Sequence, residues 1–337
     1  MLLSKLAPIE SNPLRMASMA QPQIKKNELL VEIEACGVCR SNLHVIEGDW
    51  KKHGVPSTLP IIPGHEIVGF VKKIGVSVKK VKRGDRVGIQ PLYSSCLECE
   101  YCRDGRENLC ESAEITGESV NGGYAELISV SEAFATPVPD SFKPEYAAPL
   151  FCPGITAYKA VKASEPGRGK TIGVFGVGGV GHIAIQLAKL NRARTVAISR
   201  SKTHLKLGES VGADSSIELL DDSKQFLRNL KKEEGLLDSA IVLAPSDKVI
   251  DTAIKSVKKG GTIVVCVFGK IPEFHFYEEK IVKGSMIGSR ADMRELIKIA
   301  EQSGLMVVSK GFPLGEANKV LADLKNSSVY GRAVLLP

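Results

Sequence analysis

From Lys170 onward the chain alternates short apolar runs with amphipathic helical stretches, and that alternation leaves few folds open. Lys170 to Phe175 reads as an apolar strand, Val180 to Leu190 as a helix and Thr195 to Ser199 as a second strand. Further strands are expected over Leu237 to Leu243, Thr262 to Val267, entered by a turn at Gly260-Gly261, and Gly284 to Ser289. Strands separated by helices are the signature of a parallel, doubly wound sheet with helices on both faces, an α/β Rossmann arrangement. The first strand runs straight into Gly176-x-Gly178-x-x-Gly181, with Gly179 and Val180 inside the turn and an apolar helix behind it. Glycine permits the tight turn and lets the backbone approach a pyrophosphate, and the helix N-terminus offers unpaired N–H groups to the phosphates. A plain strand-turn-helix is the competing reading, and the strand and helix on either side favour the dinucleotide.

The second strand carries the information about which dinucleotide. A site for NAD normally places Asp or Glu about 20 residues after the glycines to hold the ribose 2′-hydroxyl. Here the strand ends Ala197-Ile198-Ser199-Arg200-Ser201-Lys202 without an acid. A 2′-phosphate is repelled by a carboxylate and suits a guanidinium flanked by hydroxyls, so Ser199, Arg200 and Ser201 point to NADP(H), with NAD(H) as the lesser alternative.

Before this region the text is different. LLVEIEACGV, EIVGFVKKIG and DRVGI, between Glu28 and Ile89, are short β-rich runs broken by glycine, as in a twisted, mainly antiparallel sheet. Gly122 to Leu127 is read as resuming a strand, and a proline-marked passage ends the region near Cys152. With 337 residues, two domains are expected. These are 1–152, a mainly β domain completed by a returning tail, 289–337, and 153–288, the dinucleotide domain. The tail is expected to rejoin the first domain because a lone helix and strand cannot bury an apolar face by themselves.

Four of the eight cysteines lie in Cys96-x2-Cys99-x2-Cys102-x7-Cys110. Such spacing can close a tetrahedral zinc site with no open position, which holds a loop and does not catalyse. Cys39, the pair His65-Glu66 and Cys152 offer a second, mixed set, but sequence spacing alone cannot join residues so far apart. Disulfide frameworks belong mostly to small secreted domains, and this chain is large enough for ordinary cores, so reduced thiolates on metal are expected. The opening MLLSK has no signal-like segment, and no apolar run is long enough to span a bilayer, so a cytoplasmic protein with no membrane partner is expected. The net charge of +7 is spread among 38 acidic residues, and the cysteine loop mixes both signs, so no nucleic-acid partner is expected.

The stretches CGVCRSNLH, PIIPGHEIVG, the four-cysteine loop with GRENLC, NGGYAEL, PLFCPGITAY, GVGGVG and GSRADMREL occur in order along nearly the whole chain. The series resembles the zinc-dependent alcohol dehydrogenases of the medium-chain dehydrogenase/reductase superfamily, whose catalytic domain is GroES-like. The resemblance implies a catalytic zinc on Cys39, His65 and Cys152, with Glu66 as an occasional ligand, and a structural zinc on Cys96, Cys99, Cys102 and Cys110. It also implies a proton relay from Ser41 through the cofactor ribose to His44, pyrophosphate contacts from Arg40 and Arg290, and Thr156 packed behind the nicotinamide. Substrates are expected to be small or medium primary alcohols and their aldehydes, and the assembly a homodimer or homotetramer. Rival readings are an NAD(H) polyol or sugar dehydrogenase of the same superfamily and an inactive relative that keeps only its loop zinc. One departure stands out: Asn42 occupies the place where the family more often has an aspartate that orients the zinc-bound histidine, and a neutral amide polarises that ring less.

Overall fold

The computed structural model describes all 337 residues, and the chain divides into two compact units. One comprises Met1–Cys152, Gly288–Glu301 and Val307–Pro337; the other comprises Pro153–Ile287 and Gln302–Met306.

The first unit is built on a seven-stranded sheet. Its strands lie in the order Ser309–Pro313, Arg332–Leu336, Glu28–Gly37, Ile67–Ile74, Arg86–Ile89 and Ala135–Pro137, and Leu127–Ser131 also pairs with Glu28–Gly37. Every pairing is antiparallel except that of Ser309–Pro313 with Arg332–Leu336. Glu28–Gly37 has three strand neighbours, and accordingly nearly all of its residues are buried. Its last residues lead straight into Val38 and Cys39, so the strand of the unit with the most strand neighbours delivers the first candidate ligand.

Gly122 to Glu126 do not extend a strand; the ladder begins at Leu127. The N–H groups of Gly122, Gly123 and Tyr124 are instead used on the carbonyls of Ile62, Gly64 and Pro63. A Cβ on Gly122 would stand 2.1 Å from the Gly64 carbonyl oxygen, so glycine is what allows this loop to lie against the segment that carries His65.

The second unit is a six-stranded, wholly parallel sheet. Its order is Ser215–Glu218, Arg194–Ser199, Thr171–Phe175, Leu237–Val242, Val257–Val265, Ile281–Gly284, which is the doubly wound pattern 3-2-1-4-5-6 in chain order. Phe175, Ile198, Phe226, Val242 and Ile263 meet in its core. Two of the expected boundaries move. Gly260 and Gly261 lie inside the strand Val257–Val265, where the register slips from Leu237↔Val257 to Ser239↔Thr262, so the glycines form a bulge in place of a turn. The final strand is Ile281–Gly284 and ends where Gly284 to Ser289 was expected to begin. Ser289 is already committed to the next helix, Arg290–Ser303: its N–H donates to Asp292 Oδ2 at 3.0 Å and its Oγ accepts the Asp292 N–H at 3.2 Å.

Two candidate metal centres and a nucleotide-binding turn

Cys39 caps the helix Arg40–Glu47. Its N–H donates to Asn42 Oδ1 at 3.1 Å, one half of a reciprocal capping box. His65 follows Gly64, whose φ of +99° and closeness to the Tyr124 ring, 2.5 Å from an added Cβ, both require glycine. Cys152 leaves the short 3-10 helix Ala148–Phe151 with φ −132° and ψ −66°. These separate segments converge: one ligand atom each from Cys39, His65, Glu66 and Cys152 all lie within 4.8 Å of one another, with the two sulfurs 3.9 Å apart.

The chemistry of the cluster is that of a cation site. The Cys152 thiol donates to Cys39, and this contact, supported by His65 and Arg332, holds Cys39 well below the usual thiol range. The same contact and burial push Cys152 well up. Burial works against a charged His65, but the Cys39 thiolate outweighs it and raises the imidazole. Burial raises the Glu66 carboxyl to about 7, although Arg332 pulls the other way. Glu66 is fully buried, and its Oε2 has no hydrogen-bond partner. A buried, unsatisfied carboxylate oxygen beside a thiolate and an imidazole fits a divalent ion with nitrogen and sulfur preference, that is, zinc.

Arg332 is the residue the sequence reading missed. It opens the last strand, donates to Val38 O at 2.8 Å and pairs with Glu66. Nothing in a single arginine before AVLL marks it; only the return of the tail to Glu28–Gly37 brings it here. Ser41 Oγ lies 3.3 Å from His65 Nε2, and His44 Nδ1 lies 2.6 Å from Asp49 Oδ2 while its ring stacks on Trp50 at 5.1 Å.

The second cluster is local. Cys96, Cys99, Cys102 and Cys110 bring their sulfurs within 4.8 Å of one another, with Cys96 3.8 Å from Cys102 and 3.6 Å from Cys110. Backbone N–H groups already point at sulfur: Cys99 N–H donates to Cys96 Sγ at 3.3 Å, and Cys96 N–H to Cys110 Sγ at 3.5 Å. The N–H groups of Glu98 and Cys99 pull the Cys96 thiol down to about 6. Four sulfurs with no oxygen or nitrogen ligand fit a closed zinc site.

Arg290 is engaged beside this loop. Its Nε donates to Glu107 Oε1 at 2.8 Å, its Nη1 to Ala133 O at 3.3 Å, and its guanidinium lies 4.9 Å from the Phe134 ring centre. Arg40 is exposed in the first turn of its helix.

In the parallel-sheet unit, Gly176 has φ +105°, and a Cβ on Gly181 would stand 2.2 Å from Gly176 O, so the turn demands both glycines. A Cβ on Gly178 would meet nothing within 4 Å, which leaves the open approach a phosphate needs above Gly178, Gly179 and Val180. Ser199 is buried and its Oγ accepts the Ser201 N–H at 3.2 Å. Ser201 Oγ accepts the His204 N–H at 3.4 Å and so caps the helix Lys202–Ser210. Arg200 is exposed between them, and Thr156 is half-buried in the helix Pro153–Ala163.

Residues 25–140 match the alcohol dehydrogenase GroES-like domain family, and residues 179–302 match the zinc-binding dehydrogenase family. An alcohol dehydrogenase of Geobacillus stearothermophilus is 38% identical over 327 residues, covering 96% of this chain and 95% of that protein. The chain belongs to the zinc-type alcohol dehydrogenases of the medium-chain dehydrogenase/reductase superfamily. As a member of that family it is an NAD(P)-dependent alcohol dehydrogenase acting on small molecules. The crystal structure of the alcohol dehydrogenase from Aeropyrum pernix matches this alcohol dehydrogenase with a TM-score of 0.90 at 30% identity, covering 100% of this chain and 99% of that one. A cinnamyl alcohol dehydrogenase of Sorghum bicolor matches with a TM-score of 0.87 at 28% identity, covering 99% and 96%. No helix of the dehydrogenase is long and apolar enough to cross a membrane.

Proposed function

We propose that the protein interconverts primary alcohols and aldehydes using NADP(H), with a catalytic zinc on Cys39, His65 and Cys152, Glu66 as a transient further ligand, and a structural zinc on Cys96, Cys99, Cys102 and Cys110. The observation that carries this reading is the convergence of Cys39, His65, Glu66 and Cys152, with a buried carboxylate oxygen that has no partner. Zinc bound there supplies a Lewis acid that polarises the substrate oxygen and lowers the pKa of an alcohol, while the nicotinamide supplies or accepts the hydride.

The chain's own residues supply the rest. Ser41, 3.3 Å from His65 Nε2, takes the alcohol proton, because a hydroxyl both accepts and donates. His44, its ring oriented by Asp49 and Trp50, would be the group that takes the relayed proton when the cofactor is bound and releases it to water. For a bound dinucleotide, the glycine turn would hold the phosphates, Arg200 would meet the 2′-phosphate with Ser199 and Ser201 shaping that strand end, and Thr156 would lie behind the nicotinamide. Arg40 and Arg290 are the residues assigned to the pyrophosphate by the family resemblance, and Arg290 Nε donates to Glu107 in the structure. The assembly is a homodimer or homotetramer, which light scattering checks.

An initial-rate panel of primary alcohols and aldehydes with NADP(H) and NAD(H), before and after chelation, tests the reading. It is expected to show metal-dependent turnover, two zinc ions per chain and higher kcat/KM with NADP(H). Arg200→Asp is expected to shift the cofactor ratio towards NAD(H) by about 10- to 100-fold, the worth of one charge-assisted contact to phosphate. An unshifted ratio, together with turnover of a sorbitol-like polyol, transfers the assignment to an NAD(H) polyol dehydrogenase.

A further inference from the structure

His65 can offer only one ring nitrogen to the thiol cluster, and whatever faces the other nitrogen decides where the ring carries its proton. Nδ1 lies 3.3 Å from Nδ2 of Asn42, and Nε2 lies 3.3 Å from Ser41 Oγ. Two hydrogen bonds hold the Asn42 amide against turning. Its Oδ1 accepts the backbone N–H of Cys39 at 3.1 Å and the phenolic O–H of Tyr124 at 3.0 Å, and the residue is fully buried. A reversed amide would set its NH2 against the Cys39 N–H, donor against donor, inside a buried site. In the observed orientation Asn42 presents an N–H to Nδ1. That nitrogen must then keep its lone pair, which leaves the single proton of the neutral ring on Nε2. A metal ligand needs the opposite arrangement, a lone pair at Nε2 and an N–H at Nδ1 directed at an acceptor such as a carboxylate or carbonyl.

We infer that Asn42, clamped by the Cys39 N–H and the Tyr124 O–H, holds His65 in the tautomer that cannot ligate through Nε2. Zinc therefore enters this cluster only when the amide turns over, and it is held more loosely than the same ligands would hold it with a carboxylate at position 42. Asn42 and Tyr124 are thus positioning residues that make the catalytic metal the exchangeable one, while the four-cysteine loop, which contains no histidine, is free of this cost. The inference rests on the reading of Cys39, His65 and Cys152 as ligands.

Two measurements test it. In zinc-stripped wild-type protein, long-range 15N–1H correlation of His65, assigned by its loss in His65→Ala, is expected to show the Nε2–H tautomer; an Nδ1–H tautomer overturns the inference. Competition against a chromophoric zinc chelator is then run on wild type, Asn42→Asp and Tyr124→Phe, counting zinc per chain. Asn42→Asp is expected to hold the second zinc about 10- to 100-fold more tightly, the usual worth of such an outer partner. Tyr124→Phe, which removes one of the two donors clamping Oδ1, is expected to move a few-fold in the same direction. Two zinc ions per chain with affinities unchanged by Asn42→Asp overturn the inference alone. One zinc per chain in both proteins overturns the catalytic-metal reading and the inference with it.

Discussion

The two cysteine clusters are alike in ligand count and opposite in construction. The loop set comes from a single stretch of chain, uses sulfur only and lies partly exposed, with backbone N–H groups already directed at Cys96 and Cys110. The mixed set draws Cys39, His65, Glu66 and Cys152 from separate segments and is largely buried, and its titratable groups are displaced in opposite directions. A local, saturated set can only brace a loop. A set assembled by the whole unit, with a carboxylate oxygen still unpartnered, retains the freedom to change its coordination, and that freedom is what catalysis uses.

The largest test of the contrast is Cys152→Ser. Losing a thiolate ligand is expected to cut turnover about 10³-fold, several kcal/mol of Lewis-acid stabilisation, while about one zinc per chain and the loop structure remain. Retention of both metals with near-normal turnover would remove Cys152 from the site.

Next comes the pH response of the buried carboxyl. Glu66 is raised from 4.5 to about 7 in the fold, so its protonated form is the one the native state favours. Its contribution is complete below pH 4.5 and is lost as pH rises towards 7, by at most about 3 kcal/mol. Denaturation of metal-stripped protein in this range should lose stability with rising pH more steeply in wild type than in Glu66→Gln. Parallel curves would mean that Glu66 titrates as an ordinary surface carboxylate.

Cys99→Ser sharpens the other side. Opening the closed set is expected to release the loop zinc and lower Tm by about 5 °C while kcat at 25 °C stays within about threefold. A loss of kcat as deep as that of Cys152→Ser would break the division between bracing and chemistry.

The smallest effect concerns reactivity without metal. With its thiol at about 6 and exposed, Cys96 is mostly thiolate at neutral pH, and in metal-stripped protein it should be the first cysteine alkylated by iodoacetamide. Its rate should fall about tenfold between pH 7 and pH 5, as mass spectrometry of the labelled peptides reads directly. The Cys39 thiol is also held well below its usual range but sits within the buried cluster, so it should label more slowly.

How much of this was legible follows the same divide. The clustering of the four loop cysteines could be read directly because spacing along the chain is spacing in space over such a short stretch. The parallel sheet could be read because strand and helix periodicities are local, and four of the five expected strands lie at or close to their expected places, whereas Ser215–Glu218 was not anticipated and the last strand, Ile281–Gly284, precedes the expected one. The misplaced boundaries fell at glycines: Gly122 to Glu126, Gly260-Gly261 and Gly284 are a packed loop, a bulge and a strand end, and glycine serves all three equally well. The mixed cluster was reachable from sequence only through family resemblance, since nothing local connects Cys39 with Cys152 across 113 residues.

The sequence by itself determined the α/β alternation, the glycine turn, the acid-free end of the second strand and the four-sulfur loop, because each is written within a few turns of chain. Tertiary structure alone decided that Arg332 returns to pair with Glu66 and that Tyr124 reaches Asn42. It also decided which way that amide faces His65, and hence how readily the ring accepts a metal. Those outcomes depend on which donors and acceptors meet inside a buried interior, and only the complete packing specifies that.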